Sequence, residues 1–272
     1  ALPIPVGLSQ SGGAMIYDTI TYSQTDGLGI ITLNRPEVMN ALSTRMRAEL
    51  LHAVKAGGTS ARALVITGAG RAFCSGQDLG DSGNIADIDL ERVLVDEYEP
   101  LLRAIYDCPV PTLSAVNGPA AGAGANLALA ADVVIAAQSA SFIQAFTRIG
   151  LIPDAGGTYW LPRQIGSARA MGTALFADKI NAEQAASWGM IYECVPDDAF
   201  AVQWQARAAH LAAGPTAAYR HVKTAIRASH ANTLDQQLTL EAQLQGACGQ
   251  TRDFREGVAA FLEKRPARFE GH

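Results

Sequence analysis

Residues 115–161 read AVNGPAAGAGANLALAADVVIAAQSASFIQAFTRIGLIPDAGGTYWL, and this stretch decides the fold. It continues a β-branched and apolar run over 112–116 that stops at Asn117-Gly118-Pro119, the pattern of a strand entering a turn. A loop of small residues follows over 120–125, with glycines at 122 and 124. Residues 126–131 are Leu/Ala-rich and predict a buried helix whose first turn lies in that loop. A helix start leaves backbone N–H groups unpaired and carries partial positive charge. Small side chains there let another molecule's carbonyl come close. Such a site suits an oxyanion hole better than a phosphate loop, because no Gly-Lys-Ser/Thr follows. Close helix packing is the competing reading of the same residues.

A second segment repeats the pattern. Residues 62–67 (RALVIT) predict a buried strand that empties into GAGRAFCSGQDL at 68–79. Two strand-to-loop junctions can each place one N–H on a shared oxygen. Further out, residues 29–34 (GIITLN) predict a strand, and Asn40 or Ser43 caps a helix with Met46, Leu50 and Val54 on one face. Residues 81–89 are polar and predict a surface loop. Residues 90–106 carry helical spacing through Val93, Leu94, Tyr98, Leu101, Leu102 and Ile105. The alternation of strands and helices points to an α/β protein with parallel βαβ units. From residue 182 the pattern is almost wholly helical, with starts at Asn181 and Asp197 and a break at Gly214-Pro215. No internal repeat is visible.

Composition narrows the function. Charged residues are 17% of the 272 and apolar ones 49%, against roughly 25% charged in soluble domains; this suits a large core and surface buried between subunits. A net charge of −5 does not favour nucleic acid, and no run approaches the roughly 18 apolar residues of a membrane span. Cys74, Cys108, Cys194 and Cys248 lack CxxC spacing and read as reduced thiols of a cytoplasmic protein. The five histidines form no HxxxH or HExxH, so no metal is expected. Ser75 and Ser114 lack a G-x-S-x-G elbow. His221 and Lys223 read as a solvated helix face. Residues 1–14 read as a leader or disordered arm outside the fold, and not as a signal peptide.

Four blocks carry a resemblance: TLNRPEVMNALS, ITGAGRAFCSGQDL, AVNGPAAGAGANLALAADVVIAA and GLIPDAGGTYWLPRQIG. In order and spacing, from Ile16 to the C-terminus, the chain resembles the crotonase (enoyl-CoA hydratase/isomerase) superfamily. The resemblance implies a ββα spiral over 15–200 that binds coenzyme A. It also implies a C-terminal helical trimerisation region over 201–272, giving a homotrimer or a dimer of trimers. Two backbone N–H groups, of Gln77 and Ala123, would hold the thioester oxygen of an acyl-CoA and the enolate formed from it. The two glutamates that hydratases use to activate water fall on Asn126 and Phe146, neither of which is an acid or a base.

Asp154 is the candidate acid/base that remains. On its own residues, Pro-Asp-x-Gly is a good turn sequence in which Asp bonds its own backbone. The resemblance assigns it a catalytic role, as isomerases place a carboxylate at or beside this position and a dehalogenase branch uses an Asp there as nucleophile. Phe142, Phe146, Ile149 and Leu151 would form an apolar wall that raises its pKa. Arg35 and Lys264 are the expected partners of the CoA phosphates, with a solvated surface charge as the alternative. The backbone of Ser75, Gly76, Asp78 and Leu79 would bracket adenine and pantetheine. No separate cofactor is expected, CoA being part of the substrate.

The block around Asp154 most resembles the phenylacetate-degradation branch, whose members isomerise ring-1,2-epoxyphenylacetyl-CoA or shift 3-enoyl-CoA double bonds. The alternatives are a hydratase-like enzyme, a dehalogenase or thioesterase with a nucleophilic Asp154, and a CoA-binding homologue without catalysis.

Overall fold

A computed structural model describes residues 10–11, 14–80 and 89–272. The expected loop at 81–88 and most of the leader lie outside the described residues. Near the N-terminus, β1 (Gln10–Ser11) and β2 (Ala14–Met15) pair, among the described residues, with each other.

A six-stranded sheet forms the frame. Strands β3 (Ile20–Thr25) and β4 (Leu28–Leu33) are an antiparallel hairpin closed by Asp26-Gly27, both at positive φ. That two-residue Asp-Gly loop matches the right-handed twist of the strands it joins. Next to β4 come β5 (Ala63–Gly68), β6 (Thr112–Val116), β8 (Val133–Ala137) and β11 (Glu193–Val195), all parallel to their neighbours. Every residue of β6 is buried, as a parallel strand covered on both faces requires.

A smaller sheet runs in the order β10 (Ile180–Asn181), β9 (Ser141–Ile143), β7 (Pro119–Ala121). Here the spiral that the sequence hides becomes visible. After β6 the chain turns at Asn117-Gly118 into β7, and after β8 it turns into β9, which pairs parallel to β7. After β5 it turns likewise, and Cys74 bridges parallel to Ala120 of β7. Three successive corners therefore stack in the same sense, each passing from the large sheet to the small one.

Helix α1 (Thr44–Ser60) is capped by Ser43, whose Oγ accepts from the Met46 N–H; Met46, Leu50, Ala53 and Val54 are buried. Asn40 is not a cap. Its side-chain amide donates to the carbonyls of Ala69, Ala72 and Phe73, bracing the loop after β5. Residues 90–106 are helical, as expected, but in three pieces: α2 (Leu90–Val93), a π-helical turn (Leu94–Tyr98) and α3 (Glu99–Tyr106). Helices α4 (Ala123–Leu129), α5 (Gly157–Phe176) and α6 (Ala182–Ser187) follow.

The C-terminal part contains α7 (Asp197–Ala213), α8 (Thr216–Ala228), α9 (Leu234–Cys248) and α10 (Arg252–Glu263). The expected boundary at residue 200 falls inside α7, which packs on β4, β5, β8 and β11 and buries Phe200, Trp204 and Ala208 in the core. Lys223 of α8 is not a solvated residue. Its side chain is 9% exposed, and its Nζ reaches Asp132 at 2.7 Å and the carbonyls of Cys108 and Val110 at 2.6 and 2.9 Å. Arg227 joins the same carboxylate at 2.6 Å. Burial lowers the Lys223 pKa, and Asp132 opposes that shift.

Candidate active site

The loop after β5 is held in a defined shape. Leu42 N–H donates to the Gly76 carbonyl at 2.8 Å, and Asp78 N–H donates to the Leu42 carbonyl at 3.2 Å. Leu42 thus forms a parallel bridge across from Gln77 using only the residues on either side of it. In that geometry the N–H of Gln77 itself points the other way, and it donates to no other group among the described residues. The turn at Gly76 has φ +95°, and a side chain there would lie 2.8 Å from the Ala121 carbonyl and 3.5 Å from the Ala123 nitrogen. A single glycine therefore separates the two loops.

The second loop delivers Ala123, the first residue of α4. Gly122 N–H donates to the Ile143 carbonyl of β9 at 2.8 Å, fixing the turn against the small sheet. The Ala123 amide has no partner among the described residues, as expected at a helix N-terminus. Gly124 sits so close to Cys74 that an added methyl would meet its carbonyl oxygen at 2.5 Å. Both expected donors, Gln77 and Ala123, therefore stand side by side.

Asp154 follows a 3₁₀ turn (Ala145–Ile149) and precedes Ala155 and Gly156, both at positive φ. The turn expected from Pro-Asp-x-Gly is present, but the backbone closes it. The Asp154 carbonyl accepts from Gly157 N–H at 2.8 Å and from Asn126 Nδ2 at 2.7 Å. The carboxylate is left over: its Oδ1 is buried and has no hydrogen-bond partner. Burial pushes the Asp154 pKa up to about 6, since losing water penalises the charged form.

Asn126 is fully buried on α4, one turn from Ala123. It also exchanges hydrogen bonds with Gln144 at 2.8 and 3.2 Å. It is a brace that ties the Asp154 turn to the helix carrying the second donor. Phe146 is buried, with its ring edge 3.7 Å from where a side chain on Gly122 would begin. Phe142 is buried too, whereas Ile149 is 63% exposed and is not part of the apolar wall.

The remaining expected contacts divide. Arg35 Nη1 is engaged by Asp78 at 2.7 Å and by the Ala41 carbonyl at 2.8 Å, so the two residues form one ion pair at the loop. Ser75 donates from N–H to Met39 and from Oγ to Val38, and Val38, Met39 and Leu79 leave apolar surface exposed beside it. Lys264 ends α10 in a left-handed conformation, exposed, and takes no part in the hydrogen bonding of loop 75–79. Cys74 is buried and its thiol is pushed up to about 12, which disfavours the thiolate that a nucleophile needs. No cluster of three metal-ligating side chains occurs among the described residues.

Sequence reasoning missed a layer behind Gln77. Arg47 of α1, 2% exposed, makes a buried ion pair with Glu97 at 2.5 Å and donates to Gln77 Oε1 at 2.9 Å. Tyr98 donates to the same Oε1 at 2.5 Å. Arg47 at one position of a helix reads as a solvated charge; the one available signal was its place on the face that carries Leu50 and Val54.

The comparisons with known proteins identify the family. A profile described as enoyl-CoA hydratase/isomerase matches residues 23–272. A Rhodobacter capsulatus protein named "Probable enoyl-CoA hydratase" is 66% identical over 257 residues, covering 94% of this chain and 100% of its own. The 1,2-epoxyphenylacetyl-CoA isomerase of Escherichia coli is 48% identical, over 90% of this chain and 95% of its own. The crystal structure of an enoyl-CoA hydratase from Bacillus anthracis matches with a TM-score of 0.87 at 32% identity, covering 94% of this chain and 100% of that one. With stacked corners, two paired loops and near-full-length relatives in agreement, the chain belongs to the enoyl-CoA hydratase/isomerase family, a crotonase-superfamily enzyme of the kind that acts on CoA thioesters.

Proposed function

We propose that this enzyme is an acyl-CoA isomerase that shifts a proton through an enolate, with Asp154 as its one acid/base. The observation that carries the reading is the state of that carboxylate. Its Oδ1 is buried and unpaired, and partial burial raises its pKa to about 6, while the positions that the resemblance assigns to a hydratase's two glutamates hold Asn126 and Phe146. One carboxylate cannot divide the positioning and deprotonation of a water between two groups, but it can take a proton and give it back. In the proposed cycle Asp154 removes a proton from C2 of a 3-enoyl thioester. The negative charge moves to the thioester oxygen, held by the amides of Gln77 and Ala123. Protonated Asp154 then returns the proton to C4, leaving a 2-enoyl thioester with no net gain or loss of atoms.

The 48% identity to the 1,2-epoxyphenylacetyl-CoA isomerase supports a ring-epoxide of phenylacetyl-CoA as the physiological substrate. The 66% identical relative's name favours a second reading, hydration of an enoyl-CoA. Turnover of a 3-enoyl-CoA in deuterated water, beside a 2-enoyl-CoA offered for hydration, separates the two. Isomerisation is expected, with deuterium entering at C4 to the extent that protonated Asp154 exchanges with solvent before it returns its proton. A 3-hydroxyacyl product as the main outcome would overturn the isomerase reading. Oxygen from labelled water appearing in the Asp154 carboxylate would instead assign it as a nucleophile, in a dehalogenase or thioesterase. CoA binding with neither turnover nor proton exchange would leave a non-catalytic homologue.

Arg35 and Lys264 are proposed as partners of the CoA phosphates, with the backbone of Ser75, Gly76, Asp78 and Leu79 against adenine and pantetheine. The assembly is proposed to be a homotrimer or a dimer of trimers, in the cytoplasm. Its support is the apolar surface that α8–α10 leave exposed, including Val222, Ile226, Leu234, Leu238, Phe261 and Leu262. No helix among the described residues is long and apolar enough to cross a membrane.

A further inference from the structure

We infer that Tyr98 and Arg47 are positioning residues for the oxyanion hole: they hold the side chain of Gln77 and so fix the direction of its backbone N–H. The inference rests on Gln77 and Ala123 being the donors to the thioester oxygen.

The contacts converge on Gln77 and on Leu42, which is bridged to the loop on either side of Gln77. Gln77 Oε1 accepts from Tyr98 Oη at 2.5 Å and from Arg47 Nη1 at 2.9 Å. Because a guanidinium and this hydroxyl both donate, the amide oxygen, and not its nitrogen, must face them. The same Arg47 Nη1 donates at 2.6 Å to the Leu42 carbonyl, the group that also accepts from Asp78 N–H. Arg47 therefore touches the loop twice, once through the Gln77 side chain and once through the backbone bridge opposite it. With its side chain and both flanking peptides held, Gln77 has no free rotation left to swing its amide.

Arg47 is itself over-determined. Glu97 Oε2 takes its Nε at 3.0 Å and its Nη2 at 2.5 Å, Thr44 Oγ1 accepts at 3.0 Å, and the Tyr98 ring lies 4.9 Å from the guanidinium carbon. Glu97 and Tyr98 are consecutive residues, and both are buried against Arg47 and the loop. A regular α-helix would turn neighbours about 100° apart. They belong instead to the π-helical turn, closed by Glu99 N–H on the Leu94 carbonyl, whose wider turn narrows the angle between neighbouring side chains. π-turns cluster at functional sites because they re-aim side chains at some expense in helix stability. Here the turn aims an ion-pair partner and a hydrogen-bond donor at the loop that carries the oxyanion donor.

The test uses the full-length enzyme and phenylacetyl-CoA labelled with ¹³C at the thioester carbonyl, a ligand that reports polarisation without turning over. In the wild type the bound carbonyl resonance moves downfield of the free one. Tyr98→Phe removes one hydroxyl and keeps the ring over Arg47; Gln77→Leu removes the anchor and keeps the backbone amide. Both are expected to reduce the downfield displacement and to lower kcat by about 10- to 100-fold, with KM changed far less. If Tyr98→Phe does not fold, Gln77→Leu carries the same measurement.

A Tyr98→Phe enzyme with undiminished displacement and kcat overturns the proposal. So do equal losses of folded protein and activity with the resonance unmoved, because a purely structural residue would behave in that way. Asp154→Asn separates this inference from the isomerase reading, as it should lower kcat by about 10²- to 10⁴-fold and keep the displacement. If its turnover is undiminished, the acid/base assignment falls and the oxyanion geometry stands. If the wild-type resonance does not move at all, the donors themselves are misassigned and both inferences fall.

Discussion

Under the proposed cycle Asp154 accepts a proton and then surrenders it, so its affinity for that proton must lie near the working pH. Its pKa of about 6 sets a sign: the charged form is the base, so kcat/KM should rise with pH through about 6 and level off above. Asp154→Asn should lower kcat by about 10²- to 10⁴-fold, the range of general acid–base catalysis, with thioester binding preserved; steady-state kinetics over pH 5–9 checks both. Stability carries the opposite sign. A carboxylate raised on folding destabilises the native state once pH exceeds its unfolded value, and the burden is complete above the folded one. Asp154→Asn is therefore expected to be more stable at pH 7.5, by about 1 kcal/mol after allowing for its partial exposure. The gain should vanish near pH 4, as thermal unfolding at the two pH values would show. This residue was legible in the sequence because it sits in a block whose order is distinctive. Arg47 and Lys223 were not. Each is a single charge on a helix, and the carboxylates that permit their burial, Glu97 and Asp132, are distant in the chain.

Among the elements, the oxyanion loops depend on backbone approach more than on side chains. Gly76→Ala would force a side chain at φ +95° and 2.8 Å from the Ala121 carbonyl, while Gly124→Ala would press a methyl on the Cys74 carbonyl at 2.5 Å. Each is expected to push the two amides apart and to lower kcat by about 10²-fold or more, comparable with loss of one oxyanion donor. Turnover measured beside thermal unfolding would separate this from general damage, because the loss of rate should exceed the loss of folded protein at assay temperature. The strands flanking these loops were read to within a residue or so, since β-branched runs ending in Gly or Asn are strong local signals. The spiral was not readable. Its repeating unit is a corner in which peptide packs on peptide, and Gly118, Gly68 and their neighbours form no repeated sequence. Nor was the π-turn legible, for the apolar spacing of 90–106 fits an unbroken helix equally well.

For the whole molecule, α8 is secured from the inside by Asp132. Its carboxylate takes Lys223 and Arg227 of α8 as well as the N–H and Oγ1 of Thr112 at the head of β6. Asp132→Asn would leave two cations facing each other with their counter-charge gone. The expected loss is about 3 kcal/mol, or a midpoint lower by roughly 6–12 °C for a chain of this size, read by calorimetry. Phe261 and Leu262 are 82% and 74% exposed at the end of α10. In the proposed trimer, replacing both by Glu should shift the sedimentation coefficient to that of a monomer, whereas an unchanged coefficient would place the interface elsewhere.

The Asp132 cluster also bears on how the protein is made. Asp132 leaves the ribosome well before Lys223 and Arg227, and until they follow, a nascent chain must keep that carboxylate wet and the sheet around it ajar. Final closure of the core thus waits on translation of α8, and a chain stalled or cut upstream of it would be a client for chaperones instead of a smaller enzyme.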